Sequence, residues 1–228
     1  MPPDPSPMQA YYAARAEEYD KVYEKPERQS DLRLIERWLA AVLSGKTVLE
    51  IACGTGYWTR FIATAASSVV AFDSAPETLR IASERVPAGG VRFEVGDAYA
   101  LTAHRGGFDA AFAGFWFSHV PLERRHEFLR GVNRALEPGA KVVLLDNLFV
   151  EGSSSVISER DADGNTYQSR RLGDGSTHRV LKNFPGEAEL FALIGSGLGE
   201  SATFTSWQYY WAFEYLVPRP GADPSARR

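Results

Sequence analysis

The chain has a single cysteine, Cys53, in 228 residues. One thiol forms no internal disulfide and supplies no cysteine-based zinc site by itself, which fits a reducing compartment. An excess of basic residues is also missing. Acids outnumber Lys and Arg by 29 to 25, a net charge of −4, so the chain as a whole lacks the basic footprint of a nucleic-acid binder. No stretch approaches the ~20 apolar residues of a membrane span. The N-terminus, Met1-Pro-Pro-Asp-Pro-Ser-Pro7, is not a basic segment followed by an apolar run. No internal repeat is visible, and no linker divides the middle. The expectation is a cytoplasmic protein that engages neither nucleic acid nor membrane. Composition is otherwise ordinary: 44% hydrophobic and 24% charged residues are enough for the core of one decorated domain.

Residues 1–8 and 218–228 are Pro-rich and expected to be disordered. Between them, helices and strands alternate. Residues 9–25 read as a helix ending near Pro26. Ser30 is placed to cap a second helix, in which Leu32, Ile35, Leu39 and Val42 recur at helical spacing before Gly45 ends it. Strands are expected at 46–51, 69–72, 91–95, 108–112 and 141–145, and helices at 56–66, 75–86 and 121–136. That alternation makes βαβ units and a mostly parallel sheet, whose doubly buried strands read as continuous apolar runs. Residues 151–182 are polar, with turn signals at Asp163-Gly-Asn165 and Asp174-Gly-Ser176 between short extended runs. A helix near 186–195 and strands near 200–206 and 208–217 close the chain. Two adjacent strands predict an antiparallel edge.

The informative segment is Val48-Leu-Glu-Ile-Ala-Cys-Gly-Thr-Gly56. A strand ends in an acid and runs into a glycine loop that opens a helix. In doubly wound sheets, ligands bind beyond the carboxyl ends of the strands, and Gly54 and Gly56 allow close backbone approach. Asp73 ends the second strand, where a carboxylate can accept from ribose hydroxyls. Asp97 follows the third in Val95-Gly-Asp-Ala98, with the Ala98 N–H beside it to meet an adenine ring nitrogen. A dinucleotide fold would want a third glycine where Thr59 or Arg60 stands.

The ordered set E-x-A-C-G-T-G at 50–56, V-A-F-D at 70–73, V-G-D-A at 95–98, F-D-A-A-F at 108–112 and L-E-P-G-A-K at 136–141 resembles the class I S-adenosylmethionine (SAM)-dependent methyltransferases over residues 30–148. The resemblance implies an α/β fold. Its sheet would be Rossmann-like, seven-stranded and mostly parallel, with helices on both faces and an antiparallel last strand. It implies SAM as cofactor and S-adenosylhomocysteine as product. Ala52, Gly54 and Gly56 would form the wall for the methionine moiety, and Glu50 resembles the acid beneath it. Asp73 and Ser74 would hold the ribose, Asp97 and Ala98 the adenine, and Phe115 would lie beside the cofactor. Acids suit a ligand carrying a sulfonium and an ammonium. In similar enzymes residues equivalent to 9–29 form a lid. Tyr11, Arg15 and Tyr19 can share one face of it, with Arg15 meeting the methionine carboxylate. A solvated helix face is the other reading. One methyltransferase domain would span 9–217, with residues 151–184 as a substrate cover.

Methyl transfer is an in-line displacement, so the acceptor residues are less fixed by chemistry than the cofactor residues. His119 is a candidate general base or substrate hydrogen-bonder, against a structural role capping the next helix. Asp146 and Asn147 end the fifth strand on the expected acceptor side, with a structural turn as the alternative. Tyr12, Trp116 and Phe117 offer rings to stack on a substrate or to pack in the core. Arg170 and Arg171 could hold an anionic substrate, although residues 159–182 set five cations (Arg160, Arg170, Arg171, Arg179, Lys182) against four acids and read equally as a solvated hairpin. Cys53 reads as packing. No metal site is expected.

A 228-residue chain leaves little beyond the core for gripping a macromolecule, and no Asn/Asp-Pro-Pro-Tyr motif is present. The expected substrate is a small metabolite, planar or aromatic, methylated on oxygen or nitrogen. The alternatives are an anionic, carboxylate-bearing metabolite and a SAM-binding module without catalysis. Oligomeric state is not legible in the sequence.

Overall fold

The computed structural model describes residues 11–12, 15–86, 89–101 and 106–219. The segments expected to be disordered lie outside the described residues, apart from 218–219. Five parallel strands, β1 (Thr47–Ile51), β2 (Ser68–Asp73), β3 (Val91–Val95), β4 (Ala110–Gly114) and β5 (Lys141–Asn147), come first in the chain. A small excursion, β6 (Glu159–Arg160), β7 (Thr166–Arg171) and β8 (Thr177–Leu181), makes a separate antiparallel sheet. The strands β9 (Glu200–Ser206) and β10 (Tyr210–Leu216) then return to complete the main sheet, in the order β3-β2-β1-β4-β5-β10-β9. Only β10 runs against its neighbours. The main sheet is Rossmann-like, with the seven strands that the resemblance implied.

Both faces of the sheet are apolar because side chains alternate along each strand. Leu49, Ile51, Ala111, Ala113, Leu144, Trp211 and Phe213 point to one core, shared with Phe128, Leu129 and Val132 of α4 (Arg125–Ala135) and Ile194 of α5 (Glu187–Gly195). Val48, Ala110, Phe112, Val143, Leu145 and Tyr210 point to the other, shared with Leu32, Ile35 and Leu39 of α1 (Gln29–Val42) and Ile62 of α2 (Thr59–Ile62). Each fully buried Leu, Ile, Val or Phe contributes roughly 1.5–3 kcal/mol through the water it sheds.

Several elements differ from the sequence expectation, each for a local reason. The stretch expected as helix 9–25 is, over Ala16–Tyr23, a 3₁₀ helix. The next helix starts at Gln29, not after a Ser30 cap. Pro26 fixes φ for a 3₁₀ turn, Pro26–Arg28, that runs straight into it. The expected helix over 56–66 keeps α geometry only at Thr59–Ile62, preceded by turns in which Tyr57 and Trp58 are buried. Strand β4 begins at Ala110, not 108; just before it, Asp109 donates its N–H to the Thr47 carbonyl while its carboxylate accepts from the Thr47 N–H at 2.7 Å. A 3₁₀ turn, Leu122–Arg124, precedes α4.

The turn after β1 shows how the glycine loop is held. Gly56 has φ +74°, and its N–H donates to the Cys53 carbonyl at 3.0 Å. A Cβ on Gly56 would stand 3.0 Å from Cβ of Ala82 on α3 (Pro76–Arg85). We therefore expect Gly56→Ala to cost about 1–3 kcal/mol, combining left-handed backbone strain with overpacking. An unchanged denaturant midpoint would contradict this packing role.

Candidate functional site

Two cavities lie beyond the carboxyl ends of the central strands. The first, about 310 Å³, is lined by Ala52 and Gly54 after β1, Asp73, Ser74 and Thr78 after β2, Asp97, Ala98 and Tyr99 after β3, and Phe115 and Trp116 after β4. Ala52 and Phe115 both have positive φ, 54° and 59°, which costs non-glycine residues on the order of 1–3 kcal/mol each. Neighbouring hydrogen bonds hold them there: Cys53 N–H donates to the Phe72 carbonyl at 3.0 Å, and Phe115 N–H to the Leu145 carbonyl at 2.7 Å. Asp73 closes the rim. Its Oδ2 accepts from Gly54 N–H at 2.9 Å and its Oδ1 from Ala75 N–H at 3.0 Å. Each oxygen keeps a lone pair for a further donor. Burial pushes this carboxyl above its usual range, against the pull of those N–H groups.

This cavity fits an adenosine-bearing ligand. A Cβ on Gly54 would project to 3.8 Å from the Tyr19 ring, into space the ligand needs. The Asp97 carboxylate stands in an exposed turn, accepting from Tyr99 N–H at 2.9 Å. Beneath the floor, Glu50 is 1% exposed, and its Oε2 has no hydrogen-bond partner among the described residues. Burial, with the Asp73 charge adding to it, pushes its pKa up to about 8.

The second cavity, about 420 Å³, lies between the N-terminal segment and the β6–β8 cover. Tyr12, Tyr19, Phe115 and His119 line both cavities and form the junction between them. Seven cationic side chains face the second cavity: Arg15, Lys21, Lys25, Arg28, Arg170, Arg171 and Lys182. Among the described residues, Glu18 is its one lining carboxylate, and it pairs with Lys21 at 3.2 Å. Arg28 is 5% exposed yet bonds only neutral groups, donating to Ser153 Oγ at 3.0 Å and Asn147 Oδ1 at 2.8 Å. Arg170 donates to Gln168 Oε1 at 2.8 Å. Arg15 lies over the Tyr11 and Tyr19 rings. Cations held by neutral partners keep most of their charge available for a ligand.

The cover is sewn to the sheet at its β8 end. Lys182 Nζ donates to Asp146 Oδ1 at 2.8 Å and to Ser118 Oγ at 2.6 Å. Asn183 N–H donates to the Ser118 carbonyl at 2.8 Å. His119 Nδ1 lies 2.5 Å from the Leu181 carbonyl, and its Nε2 lies 2.8 Å from the Tyr12 hydroxyl. Burial, reinforced by Lys182 and Arg170, drives His119 well below its ordinary value, so the ring is neutral at pH 7. Burial opposes charge on Asp146, but the Lys182 ammonium and the Ser118 N–H overcome it and hold the carboxylate below its usual range.

The expected residues therefore sort as follows. Ala52, Gly54, Asp73, Ser74, Asp97, Ala98 and Trp116 line the first cavity, and Tyr11, Arg15, Asn147, Arg170 and Arg171 the second. Tyr11 and Arg15, expected at the cofactor, thus line the second cavity only. Trp116, expected at the acceptor, faces the first cavity. Asp146, expected to be catalytic, lines neither: β5 continues one residue past it, and the Ser118 N–H, the Asn147 N–H and the Lys182 ammonium occupy its oxygens. Glu50 and Gly56 also line neither cavity, lying below the loop and against α3. Cys53 is buried among the packing residues of that loop. Arg28, Lys25, Lys182 and Gln168 on the second cavity, and Thr78, Tyr99 and Arg124 on the first, carried no distinguishing sequence signal. Of these, Gln168 and Lys182 stood within 159–182, the segment marked by its charge.

A family model described as a methyltransferase domain matches residues 48–139. The ubiquinone biosynthesis O-methyltransferase of Xanthomonas oryzae pv. oryzae is 30% identical over 157 residues, 67% of this chain and 62% of that protein. The chain spans about half the length of the curated relatives it matches. Among solved structures, a DhpI–SAH complex is 31% identical with a TM-score of 0.75, covering 93% of this chain and 97% of that one. A DhpI–SAM–HEP complex is 29% identical with the same TM-score, covering 91% and 95%.

Two outcomes follow from the first cavity. Asp73→Ala should weaken binding of S-adenosylhomocysteine about tenfold or more by calorimetry, because a hydroxyl pair loses a charged acceptor; unchanged affinity would refute the ribose placement. A carboxyl whose folded pKa is raised stabilises the fold below its unfolded value, near 4.5, and that contribution fades as pH climbs through about 8. Glu50→Gln, without ligand, should match the wild type near pH 5 and exceed it by a few kcal/mol near pH 9. Parallel stability curves for the two proteins would refute the buried acid.

Proposed function

The chain belongs to the class I SAM-dependent methyltransferases, and on that premise we propose that it methylates an oxygen or nitrogen of a small metabolite carrying an anionic group. The observation that carries the acceptor half is the second cavity: among the described residues seven cations and one carboxylate line it, and it opens onto the first cavity through four shared side chains. Bound SAM supplies an electrophilic methyl group on a sulfonium. The protein's part is to hold and orient. Asp73 takes the ribose hydroxyls, Asp97 and the Ala98 N–H take the adenine edge, and the loop from Ala52 to Gly54 leaves room for the amino-acid end. Tyr12, Tyr19 and Phe115 close over the junction and keep water from it. Arg170, Lys182 and Arg28 hold the acceptor's anionic group, and Asp146 positions Lys182.

Two other readings have less support. A planar aromatic acceptor would find the rings of Tyr11, Tyr12, Tyr19, Phe115 and Phe184 on the second cavity, but it would leave the cations that line the same cavity without a role. A binding module without catalysis would have its acceptor space filled, whereas about 420 Å³ lies open beside the junction.

The test is to incubate the protein with methyl-labelled SAM and a metabolite panel of carboxylates, phosphate-bearing compounds and neutral aromatics. Label should appear in an anionic small molecule; label in neutral aromatics alone, or in RNA or protein, would overturn the proposal. With that acceptor, Arg170→Gln should raise KM about tenfold or more while SAM affinity holds. Arg171→Gln, more exposed on the rim, should do less. No change for Arg170→Gln would retire the anionic anchor.

A further inference from the structure

The hydrogen bonds around His119 leave little freedom over where its proton sits. Nδ1 lies 2.5 Å from the Leu181 carbonyl, which can only accept, so Nδ1 carries the hydrogen. In the neutral ring Nε2 is then an acceptor, and the Tyr12 hydroxyl 2.8 Å away must donate to it. The imidazole's one basic atom is therefore capped by a phenol. The phenol oxygen keeps its own lone pairs at the junction, where Tyr12 lines both cavities. An acceptor placed between the cavities meets Tyr12 oxygen before it meets His119 nitrogen.

We propose that Tyr12 and His119 form a proton relay, in which Tyr12 is the group that takes the acceptor's proton. This rests on the methyltransferase reading above and adds to it. As the new bond to the methyl carbon forms, the carbon–sulfur bond breaks and its electron pair goes to sulfur. The acceptor's O–H or N–H proton passes to Tyr12 oxygen. In the same movement the phenol's own proton passes to His119 Nε2. The sulfonium charge is lost, an imidazolium charge is gained, and Tyr12 ends neutral. The Leu181 carbonyl, hydrogen-bonded at Nδ1, and the Asp146 carboxylate beyond stabilise the imidazolium. Lys182 and Arg170 oppose it, which makes the charged ring short-lived and returns its proton to solvent. The substrate class narrows accordingly: the nucleophile is a protonated hydroxyl or amine, distinct from the anionic group that the cations hold.

The groups facing His119 that bear on its titration are Tyr12 from the N-terminal segment, Arg170 from β7, Lys182 at the end of β8 and Asp146 from β5. Burial raises the Tyr12 pKa to about 12 and lowers that of His119, so the proton rests on Tyr12 before reaction. The relay is thus poised at neutral pH.

Two measurements test it. The first needs no acceptor. The chain has four histidines, and 15N-histidine NMR of the full protein with S-adenosylhomocysteine, assigned with His119→Gln, should show His119 protonated at Nδ1. Its Nε2 resonance should shift toward that of an unbonded nitrogen in Tyr12→Phe. A ring protonated at Nε2, or an Nε2 resonance unmoved by Tyr12→Phe, would overturn the relay. The second uses the acceptor identified by label transfer. Tyr12→Phe and His119→Gln should each lower kcat about 100-fold or more, and the double variant should lose no more than either alone. Wild-type kcat should be flat from about pH 6.5 to 9, whereas the residual rate of each variant should rise about tenfold per pH unit as the acceptor ionises unaided. Tyr12→Phe retaining kcat within about twofold, or additive losses in the double variant, would overturn the relay while leaving the methyltransferase reading intact. Failure to bind S-adenosylhomocysteine would sink that reading, and the NMR result would still decide the pairing.

Discussion

The ammonium of Lys182, 4% exposed and held between Asp146 and Ser118, joins the β6–β8 excursion to the carboxyl end of β5. An isolated buried charge is costly, and removing one partner of such a pair typically costs 3–5 kcal/mol. The pair therefore fixes where the end of β8 can lie. Once Lys182 is docked, the Leu181 carbonyl reaches His119 Nδ1 and the Asn183 N–H reaches the Ser118 carbonyl. Those contacts set the tautomer of His119, carry Arg170 and Gln168 of β7 to the rim, and define one wall of the second cavity. The excursion has little hydrophobic core of its own: Leu172 and Val180 pack with Tyr11 in a small separate cluster. A polar seam thus does the positioning that apolar burial does elsewhere.

On the cofactor side the arrangement rests on backbone strain held in place by the sheet. Ala52 and Phe115 adopt left-handed backbone at the ends of β1 and β4, and hydrogen bonds to Phe72 and Leu145 on the flanking strands keep them there. The doubly buried parallel strands make those ends rigid, so the strained loops present a preformed surface. Asp73 adds a clamp across two strands, and its remaining lone pairs face the cavity. Rigidity on this side contrasts with a roof built from 3₁₀ turns and aromatic rings, among them the stacked Tyr23–Tyr57 pair at 3.6 Å.

Much of the sheet was legible in the chain because its physics is local. The apolar runs at 48–51, 69–72 and 142–145 can be buried only on both faces, and the glycine loop and Asp73 follow a strand by simple adjacency. The misread elements depend on distant partners. Nothing near Phe108 says that the Asp109 carboxylate will reach the Thr47 N–H, and nothing in residues 16–23 says that they will form a 3₁₀ helix packed against α3. Asp146 is the clearest case. An acid at a strand end in this fold suggests chemistry, and only the arrival of Lys182, 36 residues later, turns it into an anchor.

Periodicity and glycine placement were sufficient to fix the sheet, and Asp73 and Asp97 to mark the rim of the first cavity. Those features repeat over a few residues and need no long-range contact to be read. The second cavity arose otherwise. Its cations come from the N-terminal segment, from β7 and from β8, more than 120 residues apart at the extremes, and each is unremarkable in its own neighbourhood. Their convergence, and the bond between Tyr12 and His119 across 107 positions, exist only once the excursion has closed onto the sheet.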